Sequence, residues 1–205
     1  MTLAPSSPSS LSTTDPFQLF TEWFADARRT EPADPNAMTL ATVGADGMPD
    51  ARIVLLKGQD AQGFVFYTNY ESQKGAELAA NPRACLNFHW KTLQRQVRLL
   101  GRVEKVTPAE ADVYFASRPR LSKLGAWASD QSRPLADRSV LESRLAEAET
   151  RFPTEEVPRP PHWSGYRVVP LRFEFWREMP YRLHDRLIFT RDGEDAPWET
   201  SRLFP

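Results

Sequence analysis

The segment Tyr181-Arg182-Leu183-His184-Asp185-Arg186 carries three cationic or titratable side chains at alternate positions of what its pattern predicts to be a β-strand. Successive strand side chains point to opposite faces. Arg182, His184 and Arg186 are therefore expected on one face, with Leu183 and Leu187 on the other, towards a core. Three such groups in a row repel one another unless an anion lies over them. A solvated edge strand has the same pattern, so the weight must come from the rest of the chain. Further cations lie inside apolar strands. In Arg52-Ile53-Val54-Leu55-Leu56-Lys57 the two charges are five positions apart, which regular alternation sends to opposite faces. Either a bulge intervenes or they serve two different anions, unless both are strand-end residues in water. Arg95, Arg98 and Arg102 flank Gln96 in the same way. Tyr114 and Arg118 form an i, i+4 pair on one helix face, and Ser122 follows the break at Pro119. Together they can bond a phosphate, Arg118 through its planar fork, although an ordinary helix surface looks the same.

The elements that must position these groups are legible in outline. Asp15-Pro16 reads as an N-cap with proline at the first helical position. Phe17, Phe20, Phe24 and Ala27, widened by Leu19 and Trp23, predict an amphipathic helix packing on something larger. Strands are expected over 39–43, 51–57, 64–68, 84–90 and 96–106, with Gly- and Asp-rich turns after the first two. Ser72 can cap a short helix ending near Asn81-Pro82. Thr107-Pro108-Ala109-Glu110 is a capping box opening a helix to about Ser117, which Pro119 ends. A polar helix fits 138–152, with Val140, Leu141, Leu145 and Ala148 as its apolar stripe, and the prolines of 153–161 force an extended surface crossing. Closing strands over 166–176 and 181–190 precede a short tail over 198–205. Six or seven strands with short turns and peripheral helices predict an α+β fold built on an antiparallel barrel, one domain over 15–205.

Composition removes several function classes. A net charge of −1 argues against a general nucleic-acid binder, whose phosphate contacts need a basic excess. Cys85 is the only cysteine, so neither an intrachain disulfide nor a multi-thiolate metal site is possible. His89, His162 and His184 lack zinc-ligand spacing, and neither G-x-G-x-x-G nor a P-loop occurs. No apolar run approaches a membrane span. Residues 1–14 are rich in Ser, Thr and Pro, carry no charge and lack the features of a secretory signal. They are expected to be a disordered tail on a cytoplasmic protein.

Taken together, these residues resemble the pyridoxine/pyridoxamine 5′-phosphate oxidases, FMN enzymes that make pyridoxal 5′-phosphate. The resemblance is carried by Asn36-Ala37-Met38, the run Arg52 to Lys57, Phe66-Tyr67-Thr68-Asn69, Glu71-Ser72-Gln73-Lys74 and Arg95-Gln96-Val97. It continues through Tyr114-Phe115-Ala116-Ser117-Arg118-Pro119, Gly125-Ala126-Trp127 and Gln131-Ser132. Its most specific part is Glu174-Phe175-Trp176 followed by Arg182-Leu183-His184-Asp185-Arg186, and it reaches the terminal Arg202-Leu203-Phe204-Pro205.

The resemblance implies a split β-barrel homodimer with FMN in clefts between the subunits. Carried over position by position, the flavin site would comprise Arg52, Ile53, Val54, Leu55, Leu56 and Lys57, then Tyr67, Thr68, Gln73, Lys74 and Gln96, and finally Gln131, Ser132, Trp176 and Arg186. Lys57, Tyr114, Arg118 and Ser122 would hold the substrate phosphate. Arg182 and His184 would lie over the pyridine ring as the catalytic pair. The implied reaction is oxidation at C4′ of pyridoxamine or pyridoxine 5′-phosphate. Hydride passes to the flavin N5, and dioxygen restores the flavin and leaves as hydrogen peroxide, with ammonia released from the amine substrate. The chain departs from the family where Gln73 replaces the usual Arg, where Arg177-Glu178-Met179-Pro180 replaces a glycine-rich turn, and where Ser164 precedes Gly165. Two other readings are a flavin oxidase of phenazine biosynthesis, similar around Ser72-Gln73-Lys74-Gly75, and a non-catalytic carrier of flavin or pyridoxal phosphate. The intact set Lys57, Tyr114, Arg118 and Ser122 argues against the first, and the unbroken substrate site against the second.

Overall fold

Asp15 accepts a hydrogen bond from the Phe17 amide at 2.9 Å and Pro16 occupies the first turn, so helix α1 runs Pro16–Thr30 as its sequence predicts. The protein is described here by a computed structural model over residues 14–205; the tail expected over 1–14 falls, apart from Thr14, outside the described residues. After α1 come β1 (Ala37–Val43), β2 (Pro49–Leu55), β3 (Gly58–Asp60), β4 (Gly63–Asn69) and α2 (Gln73–Ala80). Next are β5 (Arg83–Trp90), β6 (Arg95–Lys105), α3 (Pro108–Ala116), α4 (Arg120–Ala128) and α5 (Arg138–Arg151). The chain closes with β7 (Trp163–Arg177), β8 (Asp185–Thr190) and β9 (Glu199–Arg202).

The strands make one antiparallel sheet in the order β2-β1-β5-β6-β7-β4-β3, with β8 and β9 branching from β7. The branching follows from the length of β7. Its 15 residues pair with β6 almost throughout, with β4 over the first part and with β8 over the second. Beyond β7 the sheet therefore splits, giving the curled split-barrel architecture expected. Opposite Leu100 and Gly101 the register shifts, leaving Leu171 as an extra residue that lets β7 bend, and a Cβ at Gly101 would lie 2.0 Å from the Val169 carbonyl oxygen. Helix α1 fills the curl. Leu19, Phe20, Trp23, Phe24 and Ala27 are buried, and the Phe20 ring meets Phe64 edge-on at 4.8 Å and Phe88 at 5.0 Å. A smaller cluster of Leu124, Ala148 and Val157 ties α4 to α5.

Several expectations are corrected. The described residues hold nine strands rather than six or seven, because β3 and β9, at three and four residues, are too short to show a period. Helix α4 follows directly on Pro119. Of the stripe expected on α5 only Ala148 is buried, and Val140 is exposed. The largest departure is at 181–184. Tyr181 and Arg182 have φ of 59° and 62°, inside a one-turn 3₁₀ segment, Pro180–Arg182, and β8 begins only at Asp185. Left-handed backbone at two non-glycine residues costs on the order of 1–3 kcal/mol each and breaks strand alternation. Arg182, His184 and Arg186 are thus no strand stripe. Leu183 is 67% exposed instead of core, while Leu187 is buried as expected. Leu183→Ala should accordingly change stability by less than about 0.5 kcal/mol, against about 3–5 kcal/mol for Phe173→Ala in the core. Urea denaturation of the two variants reads both values.

Among the described residues no helix is long and apolar enough to cross a membrane, and no group of His, Cys, Asp and Glu is arranged to hold a metal ion.

Candidate active site

One cavity of about 850 Å³ gathers residues from six separate elements. Strand β2 supplies Arg52, Ile53, Val54 and Leu55, and the chain leaving it supplies Lys57. Tyr67, Thr68 and Asn69 come from the end of β4, and Lys74 from the first turn of α2. Tyr114, Ser117 and Arg118 close α3, Ser122, Gly125 and Ala126 lie on α4, and Ser129, Gln131 and Trp163 complete the wall. Arg52 and Lys57 line the same cavity, against the alternation expected of them. The reason is that β2 ends at Leu55. Leu56 turns into the core, its amide donating to the Asn36 carbonyl at 2.8 Å, and the Lys57 amide then donates to Val65 of β4 at 2.8 Å.

Tyr67, Tyr114 and Trp163 are stacked nearly parallel along one wall. The Tyr67–Tyr114 centroids are 4.0 Å apart and those of Tyr67–Trp163 5.4 Å apart. A Cβ at Gly165 would lie 2.7 Å from the Tyr67 ring, so glycine there is what lets that ring lie against β7.

The cavity's charge is mostly unneutralised. Arg118 lies over the Trp163 ring at 4.7 Å, and its Nη1, buried, has no hydrogen-bond partner among the described residues. Burial holds its guanidinium below the ordinary arginine pKa. Lys74 is likewise held below the ordinary lysine value, first by burial and then by the nearby Arg52. Its Nζ donates to Ser72 Oγ at 3.3 Å and to Gln131 Oε1 at 3.2 Å, and Gln131 Oε1 also accepts from Thr68 Oγ1 at 3.0 Å. Buried cations bonded only to neutral groups, or to nothing, are costly without an anion. The chemistry of this lining therefore suits a ligand with a flat ring and anionic ends.

Arg52 differs. It donates to Thr42 Oγ1, to Asp50 at 2.6 Å and to Glu77 at 2.9 Å. Burial alone would raise the Glu77 pKa, but bonds from Thr42, Arg52 and Gln73 hold its carboxyl below the usual range. Gln73 donates to Asp50 and to Glu77, both at 3.0 Å, so it bridges two acids whose charges outnumber that of Arg52. Gln73→Arg should offset that excess and strengthen anion binding in the cavity by roughly 0.5–1.5 kcal/mol, less at high salt. Titration with FMN at two ionic strengths tests it, and equal or weaker affinity in the variant would refute it.

The other expected site residues lie elsewhere. Arg182 and His184 line a second cavity of about 400 Å³, with Gln94, Glu178, Met179, Pro180 and Tyr181. His184 Nδ1 accepts from the Met179 amide at 3.2 Å, which leaves Nε2 of the neutral ring to carry the proton. The His184 ring lies 4.7 Å from that of Trp176. Trp176 is the cross-strand partner of both Gln96 and Arg186, which ties these residues into one group on β6, β7 and β8. Ser132, with φ of 70°, is in the loop after α4. None of Leu56, Gln73, Gln96, Ser132, Trp176, Arg182, His184 and Arg186 lines the first cavity. The expected residues are thus divided between separate regions of one chain. Asn69, Ser117, Ser129 and Trp163 line the first cavity without having been expected there. The β4–β7 pairing, in which Asn69 faces Trp163, brings Trp163 in, and nothing local in the sequence signals it.

Comparison with known proteins gives a consistent picture. The profile described as pyridoxamine 5′-phosphate oxidase matches residues 24–152, and that of the pyridoxine 5′-phosphate oxidase C-terminal dimerisation region matches residues 163–205. A pyridoxine/pyridoxamine 5′-phosphate oxidase of Azorhizobium caulinodans is 62% identical over 191 residues, covering 93% of this chain and 90% of its own length. One of Caulobacter vibrioides is 63% identical over 198 residues, covering 97% of this chain and 88% of its own. Among solved structures, PhzG of Burkholderia lata, in complex with tetrahydrophenazine-1-carboxylic acid, superposes with a TM-score of 0.87 at 32% identity, covering 100% of this chain and 98% of its own. An FMN-binding protein of Nostoc punctiforme, related to pyridoxamine 5′-phosphate oxidase, shares the fold with a TM-score of 0.75 at 15% identity, covering 94% of this chain and 100% of its own.

Proposed function

The chain belongs to the pyridoxamine 5′-phosphate oxidase family, and from that premise we propose that it oxidises pyridoxamine 5′-phosphate and pyridoxine 5′-phosphate to pyridoxal 5′-phosphate, with FMN as cofactor and dioxygen as electron acceptor. The observation that carries the reading is the cavity in which Lys57, Lys74 and Arg118 converge beside the ring stack, with a buried guanidinium nitrogen unpartnered among the described residues. Two phosphorylated ring compounds account for both the cations and the flat wall.

FMN, when bound, supplies the two-electron redox chemistry. The protein's own groups bind and orient. Lys57 and Arg118, with the Tyr114 and Ser122 hydroxyls, hold the substrate phosphate. Thr68, Lys74 and Gln131, with Arg52 to Leu55, would hold the cofactor. Arg182 and His184 act over the pyridine, where the Nε2 proton of His184 and the Arg182 guanidinium meet charge developing as C4′ is oxidised. Because these two residues line the second cavity and not the first, the reading requires a homodimer in which one chain's second cavity completes the partner's first. The family's C-terminal dimerisation region, matched over residues 163–205, supports that arrangement.

The test is the visible spectrum of purified protein before and after anaerobic addition of pyridoxamine 5′-phosphate. Bleaching of a flavin band is expected, and a protein that carries flavin but keeps its band would refute the reading. The likeness to PhzG favours a second reading, oxidation of a reduced phenazine carboxylate. Bleaching by a dihydrophenazine carboxylate and not by the phosphorylated amine would establish it.

A further inference from the structure

Glu174 is an acid in the interior of the sheet, 2% exposed, on β7 between Arg98 of β6 and Ile188 of β8. Its Oε2 accepts from Arg98, and Arg172 lies 4.0 Å from the same oxygen. Its Oε1 accepts from Arg186 Nε at 2.8 Å and lies 2.7 Å from Arg186 Nη2. Arg186 Nη1 donates in turn to the Phe204 carbonyl at 3.0 Å. The Arg186 fork is therefore gripped along one edge by a carboxylate and at its far corner by the C-terminal segment. The second N–H on each terminal nitrogen remains for a ligand.

We propose that Glu174 is a positioning residue that fixes the Arg186 guanidinium in the plane from which it engages the cofactor. The inference rests on the assignment of Arg186 to the FMN site proposed above. The physical reason is charge balance. Three guanidinium groups surround one carboxylate, and the buried Nε atoms of Arg98 and Arg172 find no partner among the described residues. Without the acid, like charges face one another across the strands and the Arg186 side chain swings outward. A fold needs no such arrangement at this point, since apolar residues of similar volume stabilise a sheet as well as a buried ion pair does. Arg98 provides the control. It bonds the carboxylate's other oxygen, Oε2, so its loss perturbs the fold while leaving the Oε1 grip on Arg186 in place.

FMN affinity is measured on purified holoprotein from the recovery of flavin fluorescence on dilution, with circular dichroism as the check on folding. Arg186→Gln should weaken FMN binding by about tenfold or more, as expected for loss of a charge-assisted bond. Glu174→Gln should weaken it by a similar factor, and the double variant by no more than about threefold beyond either single change, because one interaction is removed twice. Arg98→Gln should stay within about threefold of the parent. Should Glu174→Gln fail to fold, Glu174→Asp keeps the charge but falls one methylene short of Arg186, and a loss of affinity is again expected. Parent affinity in the folded Glu174 variant, with Arg186→Gln weakened, would overturn this inference alone. So would an equal loss in Arg98→Gln, since that marks a general structural role. Parent affinity in Arg186→Gln would overturn the flavin assignment of Arg186 and this inference with it.

Discussion

Arg182→Ala and His184→Ala should each slow flavin reduction at saturating substrate by roughly a hundredfold or more, the loss expected for one preorganised electrostatic contact worth about 2.7–4 kcal/mol of barrier. The expectation stands on different ground from strand alternation. Arg182 lies in left-handed backbone at φ 62°, next to Tyr181 at 59°, so a strained turn, not a pleated strand, presents its side chain to the second cavity. Strain kept at two non-glycine positions is what a site tolerates when the orientation of a side chain matters. Arg182→Gly separates the two contributions. Glycine relieves the backbone strain, so this variant should be at least as stable as the parent, yet it should be as slow as Arg182→Ala. For His184 the hydrogen bond from the Met179 amide occupies Nδ1 and leaves Nε2 as the nitrogen for the ligand. Substitution should lower kcat far more than it raises KM, since the contact strengthens only as charge develops. Single-turnover reduction followed at the flavin band measures this directly. The parent rate in both alanine variants would remove the pair from the chemical step.

What the sequence made legible was local. The Asp15 cap, the Ser72 cap and the Thr107–Glu110 capping box each depend on residues within a few positions, and each forms as its spacing predicts. Strand cores with clear alternation also appear, and so does the buried face of α1. What escaped depends on partners far along the chain. The anions missing from the basic strands are in large part the protein's own carboxylates: Arg98 and Arg186 meet Glu174, Arg95 meets Asp26, and Arg102 meets Glu194 and Glu104. No spacing rule connects Arg102 to an acid at position 194. The shared cavity of Arg52 and Lys57 escaped for a related reason, since it depends on β2 giving way to a strand that pairs with β4. The turn at Tyr181-Arg182 escaped because neither residue type signals left-handed backbone. For the site, the resemblance supplied residue identities that pattern alone left ambiguous. In the structure they are divided between separate regions of one chain.

The cations of the first cavity that keep no acidic partner are the ones whose loss should affect binding, and Arg118 is the clearest of them. In the ligand-free protein its buried Nη1 is unpaired among the described residues and burial depresses its pKa, so the side chain is an energetic burden until an anion arrives. Opposite signs follow for stability and binding. Arg118→Met, which keeps the packing over Trp163, should leave the ligand-free protein as stable as the parent or more so. The same change should raise KM for the phosphorylated amine by roughly tenfold to a hundredfold, the equivalent of a charge-assisted bond of about 1.5–3 kcal/mol. The phosphate is remote from C4′ and is held equally in ground and transition states, so kcat should change much less. Lys57→Ala should show the same pattern with a smaller loss, because Lys57 is exposed at the cavity rim and water partly replaces it. Steady-state kinetics with the phosphorylated amine and thermal melts with and without pyridoxal 5′-phosphate give both readouts. An Arg118→Met protein with unchanged KM would move the substrate phosphate out of this cavity. A destabilised ligand-free variant would mean that the guanidinium is paired in the fold after all.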